Sequence, residues 1–315
     1  MSFIEIKNLK VHYPIRGGFF NRIVDHVYAV DGVDLMIEKG KTYGLVGESG
    51  SGKSTIGKAI IGLEKIKDGT ITYEGKVIEK RRSRKSDYNQ NIQMIFQDSL
   101  SSLNPKKRII DIIAEPLRNF ENLTDKEESR RVSELLEIVG MTDDALYKYP
   151  HEFSGGQRQR IGVARAVAIK PKLIIADEPV SALDLSVQAQ VLNYMKEIQK
   201  QFGLSYLFIS HDLGVVKHMC DHISIMYRGR FVETGEKADI YNNPQHIYTK
   251  RLIAAIPEVN PNHRELNKSR RLAVEKEYRE NELEYYDANG KVYDLQKLTD
   301  THYAALAHKV KGGEK

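Results

Sequence analysis

Residues 42 to 64 read TYGLVGESGSGKSTIGKAIIGLE, an apolar strand that runs into a glycine-rich loop and then into a helix. Gly47 and Gly52 frame the pattern G-x4-G-K-S/T, with Gly50 between them and Lys53, Ser54 and Thr55 following at once. Glycine lets a backbone curl around an anion with its N–H groups inward, and the N-terminus of the next helix adds the positive end of its dipole. The stretch therefore reads as a phosphate grip. Gly47, Ser49, Gly50, Ser51, Gly52, Lys53, Ser54 and Thr55 are expected to cradle the phosphates of a nucleotide. Lys53 reaches the β and γ groups, and the Ser54 hydroxyl ligates magnesium.

Outward from the grip, the first forty residues read as strands, FIEIKNL (3 to 9) and VYAVDGVDLMI (27 to 37). Between them HYPIRGGFFNR, with Pro14, Gly17 and Gly18, is expected to be a loop. After the first helix, GTITYEGKVI alternates like exposed antiparallel strands and IQMIF (92 to 96) like a buried one. From about 98 to 170 the period turns helical. RIIDIIAEPLRNF carries Pro116, which is expected to break or kink it, and LTDKEESRRVSELLEIVG has capping-box spacing from Thr124 to Glu127 and a stop at Gly140. Strand–helix alternation then resumes with LIIAD (173 to 177), a helix with Val187, Val191, Met195, Ile198 and Phe202 on one face, and SYLFIS (205 to 210). The expected fold is α/β, a mainly parallel sheet covered on both faces, with an antiparallel β portion and an inserted helical portion.

The bulk properties set bounds. A chain of 315 residues with 41% hydrophobic residues can bury a large core. No apolar run approaches the roughly 18 residues of a membrane span and the N-terminus lacks a signal-like apolar region, so a cytoplasmic chain is expected. Cys220 is the only cysteine, which excludes an internal disulfide or a cysteine-ligated cluster. His218, Cys220 and His222 invite a metal reading, but Cys220 would face away from the histidine pair on a helix. The net charge of +5 is too weak a bias to call for nucleic acid, and the basic run Lys80, Arg81, Arg82, Arg84, Lys85 reads as a solvated loop, with an anionic partner or lipid headgroups as the lesser alternative. Residues 258 to 315 differ in kind, being rich in balanced charge and holding five tyrosines. They are either a regulatory or dimer-contact subdomain or a solvated extension.

Two more features carry chemistry. Leu173 to Ala176 form an apolar strand ending in Asp177 and Glu178, which places two carboxylates at the carboxyl edge of the sheet beside the grip. Asp177 suits magnesium, directly or through water, and Glu178 suits a proton-abstracting role toward water. Residues 153 to 160, FSGGQRQR, make a second helix-opening anion nest with Ser154, Gly155, Gly156 and Gln157. One grip and two nests suggest that the second nest serves another chain's nucleotide.

In these residues the sequence resembles the ATP-binding-cassette family over residues 3 to about 257, with five motifs in the family's order and approximate spacing. The resemblance implies a P-loop NTPase core in residues 1–257, with ATP and Mg2+ bound. It implies that Gln97 is the glutamine touching magnesium where the helical insert begins, that Ser181 to Asp184 communicate across a dimer, and that His211 contacts the γ-phosphate. Tyr13 would stack on adenine, with Tyr28 as a nearby alternative.

EPVSALDLSVQAQVLN (178 to 193), SLNP (102 to 105) and NPQHIYTKRLIAAIP (243 to 257) are similar to the oligopeptide and dipeptide branch of importers, some of which carry nickel. Ile247 and Ser99 stand where that branch usually has proline. The branch implies a peripheral protein on the cytoplasmic face of the membrane. It also implies a non-identical ATPase partner of the D type, two membrane-spanning permease subunits and an extracellular peptide-binding protein. With no C-terminal cysteine cluster the chain is closer to the cysteine-free, F-type subunit. The competing expectation is a soluble cassette ATPase acting on DNA or ribosomes, which usually carries two cassettes or long inserts.

Overall fold

The computed structural model describes residues 2–18, 20–78, 86–98, 102–256 and 264–307. Strands β1 (Ser2–Gly17) and β2 (Arg22–Glu38) form a long antiparallel hairpin ahead of β3 (Thr42–Val46) and helix α1 (Lys53–Ile61). Next come β4 (Asp68–Tyr73), β5 (Lys76–Val77), the short α2 (Asp87–Asn91) and β6 (Ile92–Ile95). The helical insert holds α3 (Ile109–Phe120), α4 (Asp125–Ile138) and α5 (Gly155–Val167). It is followed by β7 (Leu173–Asp177), α6 (Leu185–Phe202), β8 (Ser205–Ser210), α7 (Leu213–Met219), β9 (His222–Tyr227) and β10 (Arg230–Glu236). The chain continues through α8 (Lys237–Asn242), α9 (Ile247–Ala254), α10 (Arg264–Asn281), β11 (Gln296–Lys297) and β12 (Tyr303–Ala304).

These strands build two sheets. A four-stranded antiparallel sheet runs β2-β1-β4-β5, and an eight-stranded sheet runs β11-β12-β10-β9-β3-β8-β7-β6. Within the larger sheet β6, β7, β8, β3 and β9 are mutually parallel. Every residue of β3, β7 and β8 is buried, and alternation along them sorts side chains between two apolar layers. Leu45, Ile175, Leu207 and Ile209 pack with Ile56 and Ile60 of α1, while Val46, Ile174, Ala176 and Phe208 pack with Val163 and Val167 of α5 and Val191 and Met195 of α6. Continuous apolar strands are what a parallel sheet covered on both sides requires. Parallel register then brings their carboxyl ends to one edge: Val46 is level with Ser210 and Ile225, Asp177 with Ile209, and Ile95 with Ala176. The residues just past those ends are Gly47, Glu178, His211 and, one residue beyond Phe96, Gln97.

Two local expectations are corrected. Most of HYPIRGGFFNR is strand rather than loop: β1 continues through Pro14 to Gly17 and pairs with β2 down to Arg22, and the turn is confined to the tip, where Asn21 N–H donates to the Gly18 carbonyl. Beyond Lys10 β1 has lost its other neighbour, β4, so its free edge tolerates a residue with no N–H to donate. Of the break or kink expected at Pro116, the break does not occur: α3 runs from Ile109 to Phe120 with Pro116 inside it. The capping box at Thr124 is formed, and Gly140 adopts the left-handed φ of 67° just past the end of α4. The basic run 80–85 and Ser99 lie outside the described residues. Among the described residues no helix is long and apolar enough to cross a membrane.

Candidate nucleotide-binding site

The loop between β3 and α1 is shaped for close backbone approach. At Gly47 and Gly52 a Cβ would collide with the carbonyl oxygens of Met226 and Ala29, and Gly52 has φ 108°. Only glycine fits these positions. Lys53 opens α1 with its ammonium folded into the loop, donating to the Gly47 and Glu48 carbonyls at 2.8 Å each and to Ser51 Oγ at 3.3 Å. Burial pushes its pKa down, against the pull of Glu178, Asp177 and Glu48. A buried cation coordinated only by carbonyl and hydroxyl oxygens is ready to exchange them for phosphate oxygens.

The carboxylates arrive from the neighbouring strand. Asp177 ends β7 and accepts a hydrogen bond from Ser54 Oγ at 2.7 Å, with burial raising its pKa in partial opposition to that bond. Glu178 comes next in the left-handed region at φ 46°, a costly conformation for a non-glycine residue, with its N–H donated to the Ile209 carbonyl at 2.9 Å. That turn aims its carboxylate across the sheet edge. Gln97 Nε2 donates to Glu178 Oε2 at 3.1 Å, and His211 Nδ1 lies 3.2 Å from the same oxygen. His211 is held between the end of β8 and Asp212, whose carboxylate caps α7 by accepting from the N–H groups of Gly214 and Val215.

Lys53, Ser54, Thr55, Gln97, Glu178 and His211 thus line a single cavity of about 530 Å3, together with Ala29, Glu48, Ser49, Gly50, Gly52 and Leu252. A larger groove of about 1150 Å3 lies between the sheet and the helical insert; Gln97 lines both, and Asp177, bonded to Ser54, lines the groove. The signature residues are not among those lining the smaller cavity. Ser154 instead caps α5, accepting from Gln157 N–H at 3.3 Å while Gln157 Oε1 accepts from Ser154 N–H at 2.9 Å. Asp184 similarly caps α6, accepting from Ser186 and Val187 N–H groups.

Tyr13 lies on β1 opposite Val27, and its hydroxyl meets Glu64 and Thr55, which puts it on the face toward α1. Tyr28 pairs with His12 on the other face, ring centroids 4.6 Å apart. Cys220 is buried beneath Gly44, where burial drives its thiol pKa up. Two residues beside the loop were not assigned from the sequence. Leu252 of α9 lines the cavity, and Tyr248 Oη accepts a hydrogen bond from Glu48 N–H at 3.0 Å. The signal was the segment 243–257, which marked a branch of the family without pointing to a contact with the loop.

The ABC transporter family matches residues 30–181, and the family described as Oligopeptide/dipeptide transporter, C-terminal region, matches residues 232–285. The oligopeptide transport ATP-binding protein OppF of Lactococcus lactis subsp. lactis is 58% identical over 314 residues, covering 99% of this chain and 98% of that one. The chain belongs to the oligopeptide/dipeptide branch of the ATP-binding-cassette ATPases. OppF of Bacillus subtilis is 51% identical, over 83% of this chain and 85% of its own length. Among solved structures, a dimeric ATP-binding cassette in a post-hydrolysis state with ADP and Pi superposes with a TM-score of 0.66 at 24% identity, over 74% of this chain and 98% of that one, a likeness of fold. As a member of this family the chain binds and hydrolyses ATP.

Proposed function

We propose that this chain is the F-type ATPase subunit of a peptide importer, bound to the cytoplasmic face of the membrane. It would act beneath two membrane-spanning permease subunits, paired with a non-identical D-type ATPase and fed by an extracellular peptide-binding protein. Residues 1–257 would form the ATPase domain and 258–315 an extension upon it. The groove between the sheet and the helical insert supports this reading, because it shares Gln97 and Asp177 with the nucleotide site and so offers a docked permease a route to the chemistry. OppF of L. lactis is named for oligopeptide transport, and the near-complete overlap of the two chains extends that assignment to this one.

The observation that carries the mechanism is Glu178 Oε2 held between Gln97 and His211 in the cavity that contains Lys53. Phosphoryl transfer to water needs positioning and charge neutralisation more than covalent help. The 47–55 loop holds the phosphates through N–H groups and the Lys53 ammonium. Glu178 takes the proton of the attacking water, while Gln97 and His211 fix its carboxylate. Tyr13, which is not among the residues lining the cavity, would stack on the base from β1. Ser54, Asp177 and Gln97 present a hydroxyl, a carboxylate and an amide oxygen, an all-oxygen donor set that fits magnesium. Magnesium bound there would spread the charge of the β and γ phosphates. Ser154 to Gln157, set away from this chain's own cavity, would close over the partner's nucleotide.

Glu178→Gln tests the reading. In the assembled complex it should bind Mg-ATP with near-normal affinity and lose at least roughly 100-fold in turnover at its own site. Activity from the partner's site is subtracted by combining it with a Lys53→Ala control. Near-normal turnover would remove Glu178 as the base.

A further inference from the structure

The phosphate loop is anchored from outside at two points. Gly229 N–H, in the turn between β9 and β10, donates to the Ser51 carbonyl at 3.0 Å. The other anchor comes from α9: Tyr248 Oη accepts from Glu48 N–H at 3.0 Å, and Arg251 Nη1 lies 3.7 Å from Glu48 Oε1. Tyr248 is fully buried, its ring 4.7 Å from that of Tyr227. Helix α10, the next in the chain, holds α9 in place. Lys250 pairs with Glu277 at 3.1 Å and Arg251 Nε with Glu275 at 3.0 Å, both on α10, and the Arg251 guanidinium sits 4.6 Å from the centre of the Tyr278 ring. The entry to α9 is fixed by the buried Glu233 of β10. It accepts from the N–H groups of Gln245 and His246 and lies 2.7 Å from Nε2 of His302, just before β12.

We propose that Tyr248 is a positioning residue for the nucleotide loop, and that through it residues 264–304 set the loop's shape. The proposal rests on the reading of residues 47–55 as the ATP phosphate grip. Lys53 braces the loop from inside by donating to the Gly47 and Glu48 carbonyls. When that ammonium turns to a phosphate, both carbonyls lose their donor, and the outer bond at Glu48 N–H keeps the cradle in shape. A loop that must be reordered on binding loses affinity, whereas one held beforehand does not. The extension is therefore part of the ATP site's scaffold.

The test uses the full chain carrying Tyr248→Phe, which keeps the ring and removes the acceptor. Tyr227→Phe is the control, since it removes a hydroxyl from the same aromatic cluster without touching Glu48. The Mg-ATP dissociation constant and amide hydrogen exchange in residues 47–52 are measured for both, and kcat for the assembled complex. Tyr248→Phe should raise the dissociation constant about 3- to 10-fold, the factor expected for one hydrogen bond. It should also speed exchange at Glu48 and leave kcat within about twofold, while Tyr227→Phe matches wild type. Unchanged affinity and exchange in Tyr248→Phe, or equal effects from Tyr227→Phe, would overturn the proposal by showing a packing role only. A Lys53→Ala chain run alongside should lose Mg-ATP binding. If it binds normally, the phosphate-grip reading itself has failed, a result separate from that for Tyr248.

Discussion

At the residue scale, the chain places polar groups where burial changes their chemistry. Lys53 and Asp177 gather at the sheet edge, where burial pushes the ammonium's pKa down and the carboxyl's up. His246 shows the same physics in a structural role. It caps α9 by accepting from Tyr248 N–H at 3.1 Å through Nδ1, and burial lowers its pKa to about 3. Its folded-state pKa lies below the unfolded value of 6.5, so the neutral ring's contribution is fully present above pH 6.5 and is lost as the pH falls toward 3. Stability to urea should therefore decline below about pH 6.5 at up to roughly 1.4 kcal/mol per pH unit from this group. His246→Asn keeps a capping acceptor and should flatten that slope between about pH 6.5 and 5. An unaltered pH profile in the variant would show that His246 titrates freely.

At the element scale, helix ends were the most legible feature because their chemistry is local. Thr124 and Glu127 bond reciprocally at the start of α4, with Thr124 N–H donating to Glu127 Oε2 at 2.9 Å. Thr124→Ala should cost about 1 kcal/mol in urea unfolding, without affecting Mg-ATP affinity. A loss under about 0.2 kcal/mol would mean that solvent replaces the cap. The apolar runs of β3, β7 and β8, and the residues just past them, were equally readable, since a parallel sheet buried on both faces leaves an unmistakable pattern. The hairpin of β1 and β2 was not. Pro14, Gly17 and Gly18 carry turn chemistry, and only the pairing partner reveals that the first of them lies within a strand whose edge is free. Nor could local pattern show that Tyr248 reaches Glu48, 200 residues away in the chain.

At the scale of the whole molecule, two sheets and a helical insert converge on one edge, and the chain after α9 returns to extend the larger sheet through β12 and β11. The balanced charge of the last 58 residues left open whether they form a subdomain or a solvated extension. The paired strands and the Glu233–His302 contact tie the described part of them to the cassette. Ser154 to Gln157 do not line the chain's own cavity, which is what the proposed pairing with a second cassette requires. The most direct measurement is affinity purification of the full chain carrying Glu178→Gln from native membranes in Mg-ATP, with identification of every subunit recovered. The account predicts a second, non-identical cassette ATPase and two membrane-spanning subunits in stable association. Recovery of the chain alone from the soluble fraction, or with ribosomes or DNA, would contradict it.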